Sequence, residues 1–177
     1  MLRPTTAERG RCQFLNPNNR WDITHIAAHG EYQEWPSSMA SELQLSRKVR
    51  LTAGDWLRNG CRAYFAFINA CNVGRAIPHA GDVNGFPLAL RVRGTVASVS
   101  ALCPVYAGAA GPFAHKFYQQ WPGASSLEAY QATCCDAIRR GEPPAAWAPY
   151  VHIGFPITLA AKPSGSQAPR GAERSGV

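Results

Sequence analysis

Four short apolar runs, none of them cleanly alternating, limit what this chain can fold into. They are Ile23 to Ala28, Ala63 to Ala70, Thr95 to Ala101 and the shorter Tyr150 to Ile153. A sheet with one wet face alternates apolar and polar residues, whereas strands covered on both faces read as nearly continuous apolar runs. Helix signals fill the gaps. Thr52 reads as an N-cap with Asp55 as its acidic N3 residue, and Gly60 ends that helix. Asn84 is placed to cap a helix through Leu88 and Val92, with Pro87 in its first turn and Gly94 after it. Between Ala109 and Trp121, Phe113, Phe117 and Trp121 recur four apart, and Pro122 stops the pattern. Ser125 and Glu128 form a capping box for a helix to Arg140, closed by Gly141. The order β, α, β, α, β, α, α, β predicts an α/β domain with a mostly parallel sheet, whose ligands bind beyond the carboxyl ends of the strands.

Length and charge narrow the class further. The chain has 177 residues, enough for one core and little more. Its net charge of +7 is carried mostly by the ends: residues 1–20 hold +3 and residues 162–177 hold +2. Residues 21–161 are near neutral, so no broad phosphate-binding face is expected and no nucleic-acid partner. The tail from Lys162, rich in Ser, Gly, Pro and Arg, is expected to be disordered. Three parts follow: an N-terminal segment (1–20), a domain (21–161) and a tail (162–177). No apolar run is long enough to span a membrane. The first twenty residues have Arg3, Arg9, Arg11 and Arg20 but no apolar h-region, which argues against a secretory signal. Cysteines at 12, 61, 71, 103, 134 and 135 form no CxxC pair, so reduced thiols in the cytoplasm are expected rather than a disulfide framework or a zinc site.

Two strand ends carry chemistry. The first run ends in His29-Gly30, and the second in Asn69-Ala70-Cys71-Asn72-Val73-Gly74. If those strands are parallel neighbours, an imidazole and a thiol emerge on one edge of the sheet. That places a nucleophile beside its acid/base partner. The thiolate is the reactive form, and an imidazole protonates a leaving amine near neutral pH. The backbone amides of Gly30 and Cys71 are candidates for an oxyanion hole. Each half alone has a plainer reading, because a cysteine after an apolar strand is often a small buried hydrophobe and His-Gly is often a turn.

Caspases carry Gln-Ala-Cys-x-Gly with a histidine about 50 residues upstream. Here Asn replaces Gln, glycine comes three residues after the cysteine, and His29 precedes Cys71 by 42 residues. The chain resembles instead the CHAT domain, a caspase-like module often fused to tetratricopeptide repeats. The resemblance rests on ITHIAAHGEY, SELQLSRKVRLTAGDWL, AYFAFINACNVG and AGDVNGFPLALRVRGTVASVSALCPV, then on FAHKFYQQW, SSLEAYQAT and WAPYVHIGFP, in the family's order over about residues 21–156. Family members show a His-Gly motif, a Ser-Ala-Cys-x-Thr-Gly-like motif and a block ending near a tryptophan. These fall on His29-Gly30, on Asn69 to Gly74 and on Gly94 to Val105. Asn69 stands where Ser is common, Asn72-Val73 where an acidic residue and Thr are common, and Cys103 where Trp is frequent.

The resemblance implies a three-layer α/β/α caspase-hemoglobinase fold and a cysteine endopeptidase, with Cys71 as nucleophile, His29 as acid/base, and the Gly30 and Cys71 amides on the oxyanion. It implies a peptide or protein substrate, no metal or other cofactor, and control by a partner such as a sensor or repeat protein. The alternative is a catalytically inactive scaffold or regulatory module. The family fold begins with two βα units before the histidine strand, and these are expected to be missing here. Asp82 is a candidate substrate-binding residue for a basic side chain, against the plainer reading of a solvated loop aspartate. His25 is expected to pack in the sheet, His79 to be solvated, and His115 and His152 to be structural. Cys134 and Cys135 point apart on a helix, and Trp35, Trp56, Trp121 and Trp147 are expected in the core.

Overall fold

Apolar content decides the centre of the molecule. The richest run becomes β5 (Arg62–Asn69), and Phe65, Ala66, Phe67 and Ile68 on it are all buried. The computed structural model describes residues 6–34, 37–75, 78–79 and 82–159, with the side chains of 78–79 and 82–83 excepted. On one side of β5 lies β1 (Arg20–Ala27), and on the other β8 (Ala97–Ala101) and then β9 (Tyr150–Gly154), in the order β1-β5-β8-β9. The first three are parallel, and β9 runs antiparallel to β8. All four expected strands are present, and the sheet is mostly parallel. Among the described residues, no strand pairs with the outer edge of β1.

Both faces of β5 are covered, as its unalternating sequence requires. Ala66 and Ile68 point to a layer that holds α2 (Ala53–Asn59) and α3 (Phe86–Val92), where Trp56, Phe86 and Leu90 are buried. Phe65 and Phe67 point to the opposite layer of α4 (Ala107–Gln120) and α5 (Ser126–Arg139), packed against Phe113, Phe117 and Trp121. The architecture is therefore three layers, α/β/α. Capping chemistry fixes two helix starts. Thr52 accepts from the Asp55 amide at 3.0 Å, and Ser125 accepts from the Glu128 amide at 3.3 Å, each within a complete capping box. The start of α3 differs from expectation. Gly85, with φ 106°, is the cap in place of Asn84, because the chain enters the helix through a conformation that favours glycine.

Residues 6–19 pack against the rest of the domain. Residues Thr6–Phe14 form α1, which ends on an aromatic anchor. The Phe14 ring meets Trp21 edge-on at 5.7 Å and stacks on Trp56 at 5.9 Å. The Phe14 carbonyl accepts from the Cys61 amide at 2.7 Å. The run Asn16-Pro17-Asn18-Asn19 then turns the chain into β1. A small antiparallel sheet also lies between β1 and α2: β2 (His29–Glu31), β3 (Glu42–Gln44) and β4 (Arg50–Thr52). The remaining strands are the pair β6 (Pro78–His79) and β7 (Asp82–Val83). Trp56 and Trp121 are buried as expected, and Trp35 lies outside the described residues.

Two outcomes test this packing. Phe14→Ala should lower the unfolding free energy by about 2 kcal/mol or more in urea, through the lost aromatic anchor. A change indistinguishable from zero would mean that α1 is not docked. His152 on β9 shares a hydrogen bond of 2.9 Å with Ser126 Oγ, and burial holds its imidazole below the usual 6.5. The unfolded chain therefore binds more protons just below pH 6.5, and stability should fall as pH drops through that window. The urea midpoint should be lower at about pH 5 than at about pH 7.5, and the drop should shrink in His152→Gln.

Candidate active site

Parallel pairing delivers both chemically loaded segments to one edge. Ala27 is opposite Asn69 in the β1–β5 ladder, and the Ala28 amide donates to the Asn69 carbonyl at 3.3 Å. His29 and Cys71 each follow two residues later. They line one cleft of about 940 Å³, bounded by the β3–β4 hairpin on one side and α4 on the other. The Cys71 side chain is half-buried, and His29 is exposed.

Cys71 sits on a turn that is tied down at several points. Asn69, buried at the end of β5, accepts from the Tyr150 hydroxyl at 2.7 Å and donates to the Ala110 carbonyl at 2.8 Å. It thereby joins β5 to β9 and α4. Burial pushes the Tyr150 phenol well above its usual value, and Cys71 beside it adds to the shift. Asn72 has φ 60°, the left-handed region that Asn tolerates better than most residues. The Arg75 amide closes this turn on the Asn72 carbonyl at 3.0 Å, and the Gly74 amide binds the Ala101 carbonyl of β8 at 2.8 Å. A Cβ on Gly74 would stand 2.7 Å from Ser100 Oγ, so glycine is needed there for contact. The sulfur itself accepts a hydrogen bond from the Val105 amide at 3.3 Å. A backbone donor aimed at the sulfur holds it in place.

Gly30 is what brings the two ends together. On β2 it is opposite Leu43, and a Cβ there would overlap the Cys71 carbonyl oxygen and press on Val73 Cγ1 at 2.9 Å. The missing side chain thus makes room for the Cys71 backbone. The His29 ring has no hydrogen-bond partner among the described residues, so no third group orients it here.

Other candidates divide. His25 packs on the sheet as expected, and its uncovered side also lines the cleft. Its ring stacks on Phe67 at 5.0 Å and 5°, and Nδ1 pairs with the Tyr118 hydroxyl at 3.0 Å. Burial holds the His25 imidazole below its usual value and pushes the Tyr118 phenol up. His115 also lines the cleft, bonded to Gln119 at 3.0 Å. His152 stays with Ser126, away from it. Asp82 is opposite His79 in the β6–β7 pair, and both side chains lie outside the described ones. Among the described residues no three of His, Cys, Asp and Glu are grouped to hold a metal ion.

Residues 4–155 match the model of the CHAT domain. The chain belongs to the CHAT domain family. CHAT domains are related to caspase-like peptidases, and the match reaches back far enough to include α1. No curated protein matches the chain. No helix of the described residues is long and apolar enough to cross a membrane.

Tyr118, Val105 and Arg47 also line the CHAT cleft, and no sequence motif singles them out. Tyr118 has a periodic signal instead. Ala107, Ala110, Gly111, Ala114, His115 and Tyr118 follow helical spacing and form one stripe of α4 that borders the buried Phe113 and Phe117, with Ala114 buried beside them. Arg47 and Val105 lie on loops, and nothing local marks them.

Substitutions in the turn should follow the contacts. Gly30→Ala should cost about 1–3 kcal/mol by overpacking against Cys71. Asn72→Gly should be neutral within about 0.5 kcal/mol, while Asn72→Val should cost about 1–3 kcal/mol, because a β-branched residue resists positive φ. Equal stabilities for the two Asn72 variants, measured by chemical denaturation, would contradict the left-handed turn.

Proposed function

We propose that this CHAT domain is a cysteine endopeptidase acting through Cys71 and His29. The observation that supports it is the shared cleft: a half-buried, amide-bonded sulfur and an exposed imidazole at adjacent strand ends, open to solvent on a scale that admits a peptide. In the proposed cycle the Cys71 thiolate attacks the scissile carbonyl carbon and forms a C–S bond. The carbonyl oxygen takes up the electron pair and is held by the Gly30 and Cys71 amides. His29 gives a proton to the amine nitrogen as the C–N bond breaks, leaving an acyl-enzyme. Water, losing a proton to His29, then releases the acid and the thiolate. The dyad needs no metal or other cofactor. All six cysteines are unpaired, which supports a reducing, cytoplasmic setting.

A second reading, a non-catalytic CHAT scaffold or regulatory module, draws on two features. His29 has no orienting partner among the described residues, and the outer edge of β1 lacks a strand there. A free edge invites another chain, so a partner protein fits either reading.

A peptide-library assay with and without neighbouring gene products separates the two. The peptidase reading expects cleavage that falls at least about 10³-fold in both Cys71→Ala and His29→Ala. Turnover that survives Cys71→Ala would reject it, and silence across all libraries would favour the scaffold.

A further inference from the structure

Charge in the cleft is one-sided. Its titratable lining consists of Arg47, three histidines (His25, His29 and His115), Tyr118 and Cys71, with no Asp or Glu among the described residues. The cation comes from the tip of the β3–β4 hairpin. That tip is held by the Leu45 and Ser46 amides, which donate to the Val49 carbonyl at 2.9 and 3.2 Å. Ser46 Oγ also accepts from the Lys48 and Val49 amides at 3.3 and 3.2 Å. The strand below is in register with the candidate site, since Gln44 is opposite His29. Arg47 therefore stands three residues beyond the partner of the proposed acid/base.

The hairpin sorts its three cations. Arg50 is paired with Glu42. Lys48 lines a separate hollow with Glu8, Glu42 and Asp55. Arg47 alone lines the cleft, and it has no ion-pair or hydrogen-bond partner among the described residues. The opposite wall includes the stripe of Ala107, Ala110, Gly111 and Ala114 on α4, whose side chains are small and uncharged.

We infer that the cleft recognises an acidic side chain of a peptide, with Arg47 as the specificity residue. A guanidinium matches a carboxylate with two parallel N–H···O bonds, and a bound peptide would shield the pair from water. The role of this residue in cleavage specificity rests on the peptidase reading, whereas peptide binding does not. A preference for basic residues through Asp82 is the competing outcome.

The test uses Cys71→Ala protein, so that binding is read without turnover. Alanine-based peptides carrying an uncharged dye hold one Asp, Asn or Lys, walked along the sequence, and binding is followed by fluorescence anisotropy. At one or more positions Asp should tighten binding about 10-fold or more over Asn, as expected for a hydrogen-bonded charge. The gain should vanish in Cys71→Ala/Arg47→Gln and shrink with added salt. Thermal unfolding should show that Arg47→Gln folds normally, the residue being exposed. No gain from Asp at any position, tightest binding of Lys peptides, no peptide binding, or a gain that persists without Arg47 would each overturn the inference. The two readings fail separately. Wild-type cleavage at Lys peptides rejects the acidic site and keeps the peptidase. Arg47-dependent binding of Asp peptides with no hydrolysis in any wild-type assay keeps the acidic site and rejects the peptidase.

Discussion

The candidate site depends on the close approach of two backbones, permitted by the absence of a side chain at Gly30. β1 and β5 are parallel neighbours, and such neighbours diverge as soon as their ladder ends. Here the divergence is arrested because β2 lies directly on the Ala70–Cys71 segment, with the Cys71 carbonyl occupying the place of a Cβ. Any larger residue at position 30 would push the histidine end away from the cysteine end. The β2–β3–β4 sheet then braces the histidine side from outside the main sheet.

The cysteine side is braced from within. Asn69 is a polar residue at the end of the most buried strand, a placement that costs free energy unless its hydrogen bonds are made. Both ends of its amide are satisfied, by Tyr150 and by the Ala110 carbonyl. One side chain thus ties three elements to the turn that presents the sulfur. The family position commonly holds Ser, which is too short to span that gap in the same way. The departure therefore has a structural use in this chain, whatever its effect on chemistry.

What was legible in the sequence followed from local rules. β5 and β9 end within a residue or two of the expected runs, and β8 begins two residues late. Thr52 with Asp55 and Ser125 with Glu128 cap helices because a capping box needs only four consecutive residues. Phe113, Phe117 and Trp121 face the core because their spacing is helical. The rest depended on partners distant in sequence. α1 buries no residue fully, and it is held by Phe14 on two tryptophans and by Arg11 on Asp55 and the Arg50 carbonyl. Strands of three residues, such as β2 to β4, are too short to show a period. At the site, His29 and Cys71 were readable as strand ends, whereas Arg47 and Val105 enter the cleft through loops whose placement only the tertiary fold decides.

The central claim is that the imidazole at position 29 and the sulfur at position 71 are within reach of one small molecule. A bifunctional alkylating agent such as 1,3-dibromoacetone reacts first with a thiolate and then with any imidazole close enough to bridge. Peptide mapping of the treated, folded protein should find a cross-link joining Cys71 to His29. A bridge from Cys71 to His25 or His115, or Cys71 carrying only a one-ended adduct, would contradict the account.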